Sequence, residues 1–218
     1  MAVVTISREF GTEGGRIATE AAQALGYHVA DKDVVERILR QYGLLHFEEV
    51  EGAVRSFWIY FDEQLRLTAE MLEQTIRALA QHGDVFIIGR GSYAVLHGLA
   101  DVLNVRIQAP RAMRVQRVMA QYQLNLAEAE TRVTQVDRER VTFIERVHHV
   151  RGEDARAFDL VINLGNIAPD FATRLIIDAA RAMNERPRGD APRAADFDVS
   201  NTLADAVGDV LGCETRHG

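Results

Sequence analysis

Five short runs of aliphatic and β-branched residues punctuate this chain, and all but the third are followed by a segment with helical periodicity. The runs are residues 2–7, 27–30, 85–88, 102–108 and 160–163, and the helical stretches are about 16–25, 33–42, 57–82, 111–121, 126–150 and 170–184. Such alternation restricts the chain to βαβ units, hence to a mainly parallel sheet with helices on both faces. The run Val85-Phe86-Ile87-Ile88 is apolar throughout, as a strand covered on both sides requires. In the stretch 57–82, Phe57, Phe61, Leu65, Leu72, Ile76 and Leu79 recur at helical spacings and describe one long amphipathic helix. The group Phe57, Trp58, Tyr60 and Phe61 reads as core or as the face of a homodimer.

Parallel sheets bind ligands at the carboxyl ends of their strands. Three polar segments follow strands directly, at 7–15, 31–33 and 89–92, so they are expected to converge. The first is the most telling. A strand runs into SREFGTEGG and then a helix, and a glycine-rich turn at a helix N-terminus offers backbone N–H groups and a positive dipole end to an anion. The motif G-x-x-x-x-G-K-[ST] is absent: with Gly14 as its second glycine, Glu9, Gly15 and Arg16 stand at the first-glycine, lysine and Ser/Thr positions. By itself the turn is compatible with a phosphate site or with an ordinary tight turn.

Composition bears on which ligand is meant. The net charge of −7 argues against general nucleic-acid binding, which needs a basic face. Lys32 is the only lysine among 25 basic side chains, so phosphate chemistry here relies on arginine, Lys32, main-chain amides or a metal. Cys213 stands alone, which leaves no internal disulfide or cysteine metal cluster. No run approaches the ~18 apolar residues of a membrane span. The N-terminus lacks the basic and apolar regions of a signal peptide. A cytoplasmic protein is therefore expected, with residues 1–185 as one α/β domain. Residues 186–218, opening on a stretch rich in Pro, Ala and charge, read as a linker or disordered tail with a short helix near 200–211.

The ordered motifs resemble the cytidylate kinase-like family of P-loop nucleoside monophosphate kinases. The resemblance rests on Ser7-Arg8-Glu9-Phe10-Gly11-Thr12 after the first strand, Leu25-Gly26-Tyr27 and Asp31-Lys32-Asp33 around the second, and Phe86-Ile87-Ile88-Gly89-Arg90-Gly91 at the third. It continues through Ala109-Pro110-Arg111 with Arg114 and Arg117, Asp137-Arg138-Glu139-Arg140 in a lid-like helix, and Leu160-Val161-Ile162-Asn163 before Leu164-Gly165. It spans about residues 2–184 and implies a P-loop NTPase-like three-layer α/β/α fold, with a five-stranded sheet and a helical lid.

By that resemblance ATP, with Mg²⁺ carried on its phosphates, sits on Ser7, Arg8, Gly11, Thr12, Glu13, Gly14, Gly15 and Arg16. Asp31, Arg90 and Asp137 serve the acceptor, and Arg16, Arg114, Arg117 and Arg140 neutralise the transferring phosphoryl group. The implied reaction converts ATP and a nucleoside monophosphate, CMP or a relative, to ADP and the diphosphate. The sequence departs from classical cytidylate kinases at two places: they carry Asp where Gly91 stands, and a lid arginine where Val133 stands. Those departures keep open a nucleotide-sensing or scaffolding module without catalysis, and a kinase for another small acceptor. Asp31 and Asp33 are placed to hold a Mg²⁺-bound water or to fix Arg90, and Asp33 equally to cap the helix that starts there. Arg138 and the pair His148-His149 are expected at the solvated surface, since adjacent helical positions diverge by about 100°.

Overall fold

A computed structural model describes residues 2–42, 65–150, 154–187 and 189–212, with side chains of the third helix described from residue 69. The chain runs β1 (Val3–Arg8), α1 (Gly14–Leu25), β2 (His28–Ala30), α2 (Lys32–Gln41), α3 (Leu65–His82), β3 (Val85–Ile88) and α4 (Ser92–Val95). It continues through β4 (Val102–Gln108), α5 (Arg111–Tyr122), α6 (Leu126–His148), β5 (Leu160–Asn163), α7 (Pro169–Asn184) and α8 (Asn201–Leu211). Every strand pairing is parallel, in the order β2-β3-β1-β4-β5. The result is the three-layer α/β/α architecture the alternation predicts. The aromatic group at 57–61 and Cys213 lie outside the described residues.

Period-two alternation divides the core between the two faces of the sheet. Val3, Val85, Ile87 and Val102 point to one side, where they meet Ile38, Leu72, Ile76 and Leu79 of α2 and α3. Their neighbours Val4, Phe86, Ile88 and Leu103 point to the other, against Ile17 and Ala21 of α1 and Ile176 of α7. The buried Thr5 hydroxyl donates to Asn104 Oδ1 at 2.7 Å, so its burial leaves no unmet hydrogen bond. Since β1 lies between β3 and β4 while the chain first departs to the edge strand β2, the carboxyl ends of β1, β3 and β4 border the crevice of a switch point.

The segment after α7 is built into the molecule. Ala100 N donates to Pro192 O, and the buried Asp101 carboxylate accepts from Ala194 N at 2.7 Å. Leu203, Ala206 and Val207 of α8 then complete the core beside α2 and α3. The polar composition of residues 185–198 suggested a tail. What anchors it is a buried carboxylate and three apolar residues on one helical face, a pattern too short to dominate composition.

α5 and α6 form an antiparallel pair with its own small core of Val115, Val118, Ala129 and Val133. A reciprocal capping box starts α6, with Asn125 Oδ1 accepting from Glu128 N and Glu128 Oε2 from Asn125 N. Val133 is wholly buried here. A charge at that position would have to enter an apolar contact.

Candidate phosphoryl-transfer site

The turn after β1 is held from behind. Gly11 has φ 80°, and a Cβ there would approach the Arg114 carbonyl oxygen to 2.9 Å and Val118 Cγ2 to 3.1 Å. Only glycine lets the turn press so closely on α5. Thr12 is buried, its hydroxyl donating to Glu9 O at 2.8 Å. Glu13 precedes α1 in the left-handed region, φ 62°. Gly14 packs on the stem of Arg8, whereas Gly15 faces open space. The side chains of Arg8 and Thr12 thus crowd the turn at Gly14, while the first amides of α1 lack intrahelical partners.

The arginines expected around the donor phosphates make intramolecular pairs. Arg16 is half-exposed and meets Glu20 at 2.6 Å, Glu13 at 3.4 Å and Asp170 at 3.7 Å; its pKa is raised, chiefly by the Glu20 hydrogen bond. Arg117 Nη2 lies 3.0 Å from Glu13 Oε2. Arg114 is buried and donates to Ala109 O, Phe10 O and Asp137 Oδ2, the last at 2.5 Å, with Glu9 Oε2 3.3 Å from its Nε. Asp137 also accepts from Phe10 N at 2.8 Å. Arg114 and Asp137 thus tie α5, α6 and the turn together.

A second group of arginines converges at the carboxyl ends of the strands. A cavity of about 580 Å³ opens between Ser7 and Arg8 of β1, the 88–93 turn after β3, and α6. Arg8, Arg90, Arg138, Arg140, Arg146 and Lys32 line it, with Glu139 the one acid among the described lining residues, and Tyr93, Phe143 and Val147 supply an apolar wall. None of residues 11–15 lines it, so the structure separates the turn from the cavity, with Arg8 between them. Arg140 Nη1 donates to Arg8 O at 2.9 Å, and Arg106 Nη1 to Ser7 Oγ at 2.8 Å. The Arg8 guanidinium is pushed down to about 9, first by burial and then by Arg140, Arg90 and Arg106, against the pull of Asp31. Arg90 is lowered to about 10 by burial, which Glu36, Asp33 and Asp31 oppose. In a protein of net negative charge this is a local cationic well, suited to an anion.

Asp31 rather than Asp33 caps α2, its Oδ1 accepting from Asp33 N and Val34 N at 3.0 Å. Arg90 Nη2 lies 3.4 Å from Glu36 Oε1, one helical turn beyond the 31–33 segment, and Asp33 and Asp31 also attract its charge. The i+4 position of Glu36 from Lys32 on α2 was the available signal.

Two further residues escaped the sequence reading. Arg106 lies on β4 beside Ser7, a pairing set by strand register. His148 is half-buried rather than a surface residue, with Nε2 2.8 Å from Arg90 O and its pKa lowered mainly by burial. Arg138, expected in solvent, is exposed but stands at the cavity rim. Among the described residues no three His, Cys, Asp or Glu side chains are grouped to hold a metal, and no helix is long and apolar enough to cross a membrane.

The sequence signature described as the cytidylate kinase-like family matches residues 3–166. No curated protein matches the chain. Among solved structures, an uncharacterized protein from Eubacterium ventriosum ATCC 27560 superposes with a TM-score of 0.67 and 20% identity, covering 83% of this chain and 98% of that one. TT1252 from Thermus thermophilus follows at 0.50 and 17%, over 85% and 98% of the two chains. A shikimate kinase from Acinetobacter baumannii in complex with shikimate gives 0.48 and 14%, over 85% and 96%.

Proposed function

The chain belongs to the cytidylate kinase-like family, and from that membership we propose that it transfers the γ-phosphoryl group of ATP to a nucleoside monophosphate, CMP or a relative. The observation that carries this reading is the cationic cavity between β1, β3 and α6, separated by Arg8 from a glycine-rich turn at a helix N-terminus. Two adjacent anion-accepting places are what a donor and an acceptor phosphate require.

In this reading the amides at the start of α1 and the open flank at Gly15 receive the donor phosphates. Arg90 and Arg8 hold the acceptor phosphate in the cavity. Arg140, fastened to the main chain of Arg8, faces the charge that develops between them. An acceptor oxygen bonds to the γ-phosphorus as the bond to the β–γ bridging oxygen breaks, and ADP leaves with that electron pair. Mg²⁺, carried on the donor phosphates, would neutralise part of their charge when bound.

A panel of nucleoside monophosphates assayed for ADP release tests the reading. At least one should release ADP well above the ATP-only rate, and Arg90→Ala should lower kcat/KM for it roughly 10- to 100-fold, the loss of a charge-assisted hydrogen bond. ADP release at background for the whole panel would overturn it. The second reading, a nucleotide-sensing module, is favoured by Gly15 at the lysine position and by the pairing of Arg16 and Arg117 with Glu13. Stabilisation by Mg·ATP without turnover of any monophosphate would single it out. Turnover of a different small acceptor would instead move the substrate assignment.

A further inference from the structure

The turn that presents Arg90 is strained. Gly89, Arg90 and Gly91 all lie in the left-handed region, at φ 78°, 58° and 68°. A non-glycine residue there costs on the order of 1–2 kcal/mol and persists only where its surroundings over-determine it. The surroundings come from α6. His148, its last residue, brings Nε2 to 2.8 Å from the Arg90 carbonyl oxygen. A carbonyl only accepts, so Nε2 carries the proton and donates it. The imidazole ring occupies the space that a Cβ at residue 91 would need, and Phe143 holds it edge-on from one turn earlier on α6, ring centroids 5.9 Å apart. Gly91 and His148 are therefore complementary: the missing side chain of one makes room for the ring of the other.

We propose that His148 is a positioning residue for the acceptor site, holding the 89–91 turn in its left-handed form so that the Arg90 guanidinium faces the cavity, and fixing that turn to the helix that carries Arg138 and Arg140. The proposal rests on the cavity being the acceptor site. It explains how the site tolerates Gly91: the ring of His148 fills the corner that a side chain at 91 would occupy, and it restrains Arg90 through the main chain. Neutral and protonated imidazole both keep an Nε2–H, so the hydrogen bond itself survives acidification.

Wild type, His148→Leu, His148→Gln and Arg90→Ala are compared in inorganic phosphate binding and in Mg·ATP binding, each by isothermal titration, and in kcat and KM for the best monophosphate of the panel. Arg90→Ala and His148→Leu should each weaken phosphate binding at least 5-fold and raise acceptor KM more than they lower kcat. The Mg·ATP affinity should stay within about 2-fold. His148→Gln, whose amide N–H can reach the same carbonyl, should recover most of the loss. Should His148→Leu not fold, His148→Asn, whose shorter amide stops short of the carbonyl, takes its place. Phosphate binding unchanged in the Leu or Asn variant, or no recovery with Gln, overturns the role, as does wild type failing to bind phosphate. Phosphate binding needs no turnover. The expected pattern in a protein that transfers no phosphoryl group would thus sink the kinase reading and leave the positioning role standing.

Discussion

At the scale of the residue, Arg8 is where the energetic cost of this site concentrates. Its stem packs under Gly14 and its guanidinium presses against Gly89, among three other arginines. At pH 7 the charge is present in both folded and unfolded chains, and burial makes it unfavourable in the folded one. Arg8→Met should therefore stabilise the protein, by on the order of 1 kcal/mol, while weakening phosphate binding. Since the folded pKa of about 9 lies below the ordinary arginine value, the folded state sheds the proton first as pH rises. Wild-type stability then gains on that of the variant. Urea denaturation at pH 7 and pH 10 should show the gap narrowing at the higher pH; a gap that widens would mean Arg8 is well paired. An anion in the cavity relieves the same repulsion, which is why a functional site retains a costly residue.

At the scale of the element, the α5–α6 pair is fastened to the turn after β1 by one carboxylate. Asp137 receives Phe10 N and Arg114 Nη1, and Arg114 returns to Ala109 O and Phe10 O. Removing that carboxylate takes away the nearer anion of the buried Arg114 and leaves only Glu9, 3.3 Å from its Nε. Asp137→Ala is expected to cost about 2 kcal/mol in urea denaturation, below the full cost of breaking a buried pair because Asp137 keeps some exposure. Loss of the turn's support should also weaken Mg·ATP binding. An unchanged midpoint would show the network to be incidental.

The elements themselves were legible. Strand runs, helical periodicity and the glycine-rich turn are local signals, and the boundaries of the expected elements fall within a few residues of those observed, the start of the 57–82 helix lying outside the described residues and the short α4 not having been expected. The pairing of charges was not. The resemblance places Arg114 and Arg117 at the transferring phosphoryl group. In the folded chain one enters the support network with Asp137 of α6 and the other meets Glu13 of the turn before α1, carboxylates that no spacing rule on α5 connects.

At the scale of the whole molecule, the segment after α7 closes over the face opposite α1 and α7. α8 lies against α2, the helix that carries Lys32 to the cavity, and Gln41 Nε2 reaches Asp209 at 2.7 Å. Leu203→Ala should cost roughly 2–4 kcal/mol, as truncation of a fully packed leucine does. Amide exchange in α2 should rise with it. Unchanged exchange there would show that α8 is not what steadies this side of the site.

The parallel α/β order, the turn at the head of α1 and the arrival of residues 7, 31 and 90 at one sheet edge were written in the sequence alone. They depend on periodicity and on the rule that strand ends gather in a parallel sheet. Which guanidiniums face the cavity, which are spent on internal carboxylates, and why Gly91 is tolerated were decided only by the tertiary structure. Those contacts join residues as far apart as Arg140 and Arg8, or His148 and Arg90, and a hydrogen bond is settled by the position of both partners in space, of which a sequence supplies neither.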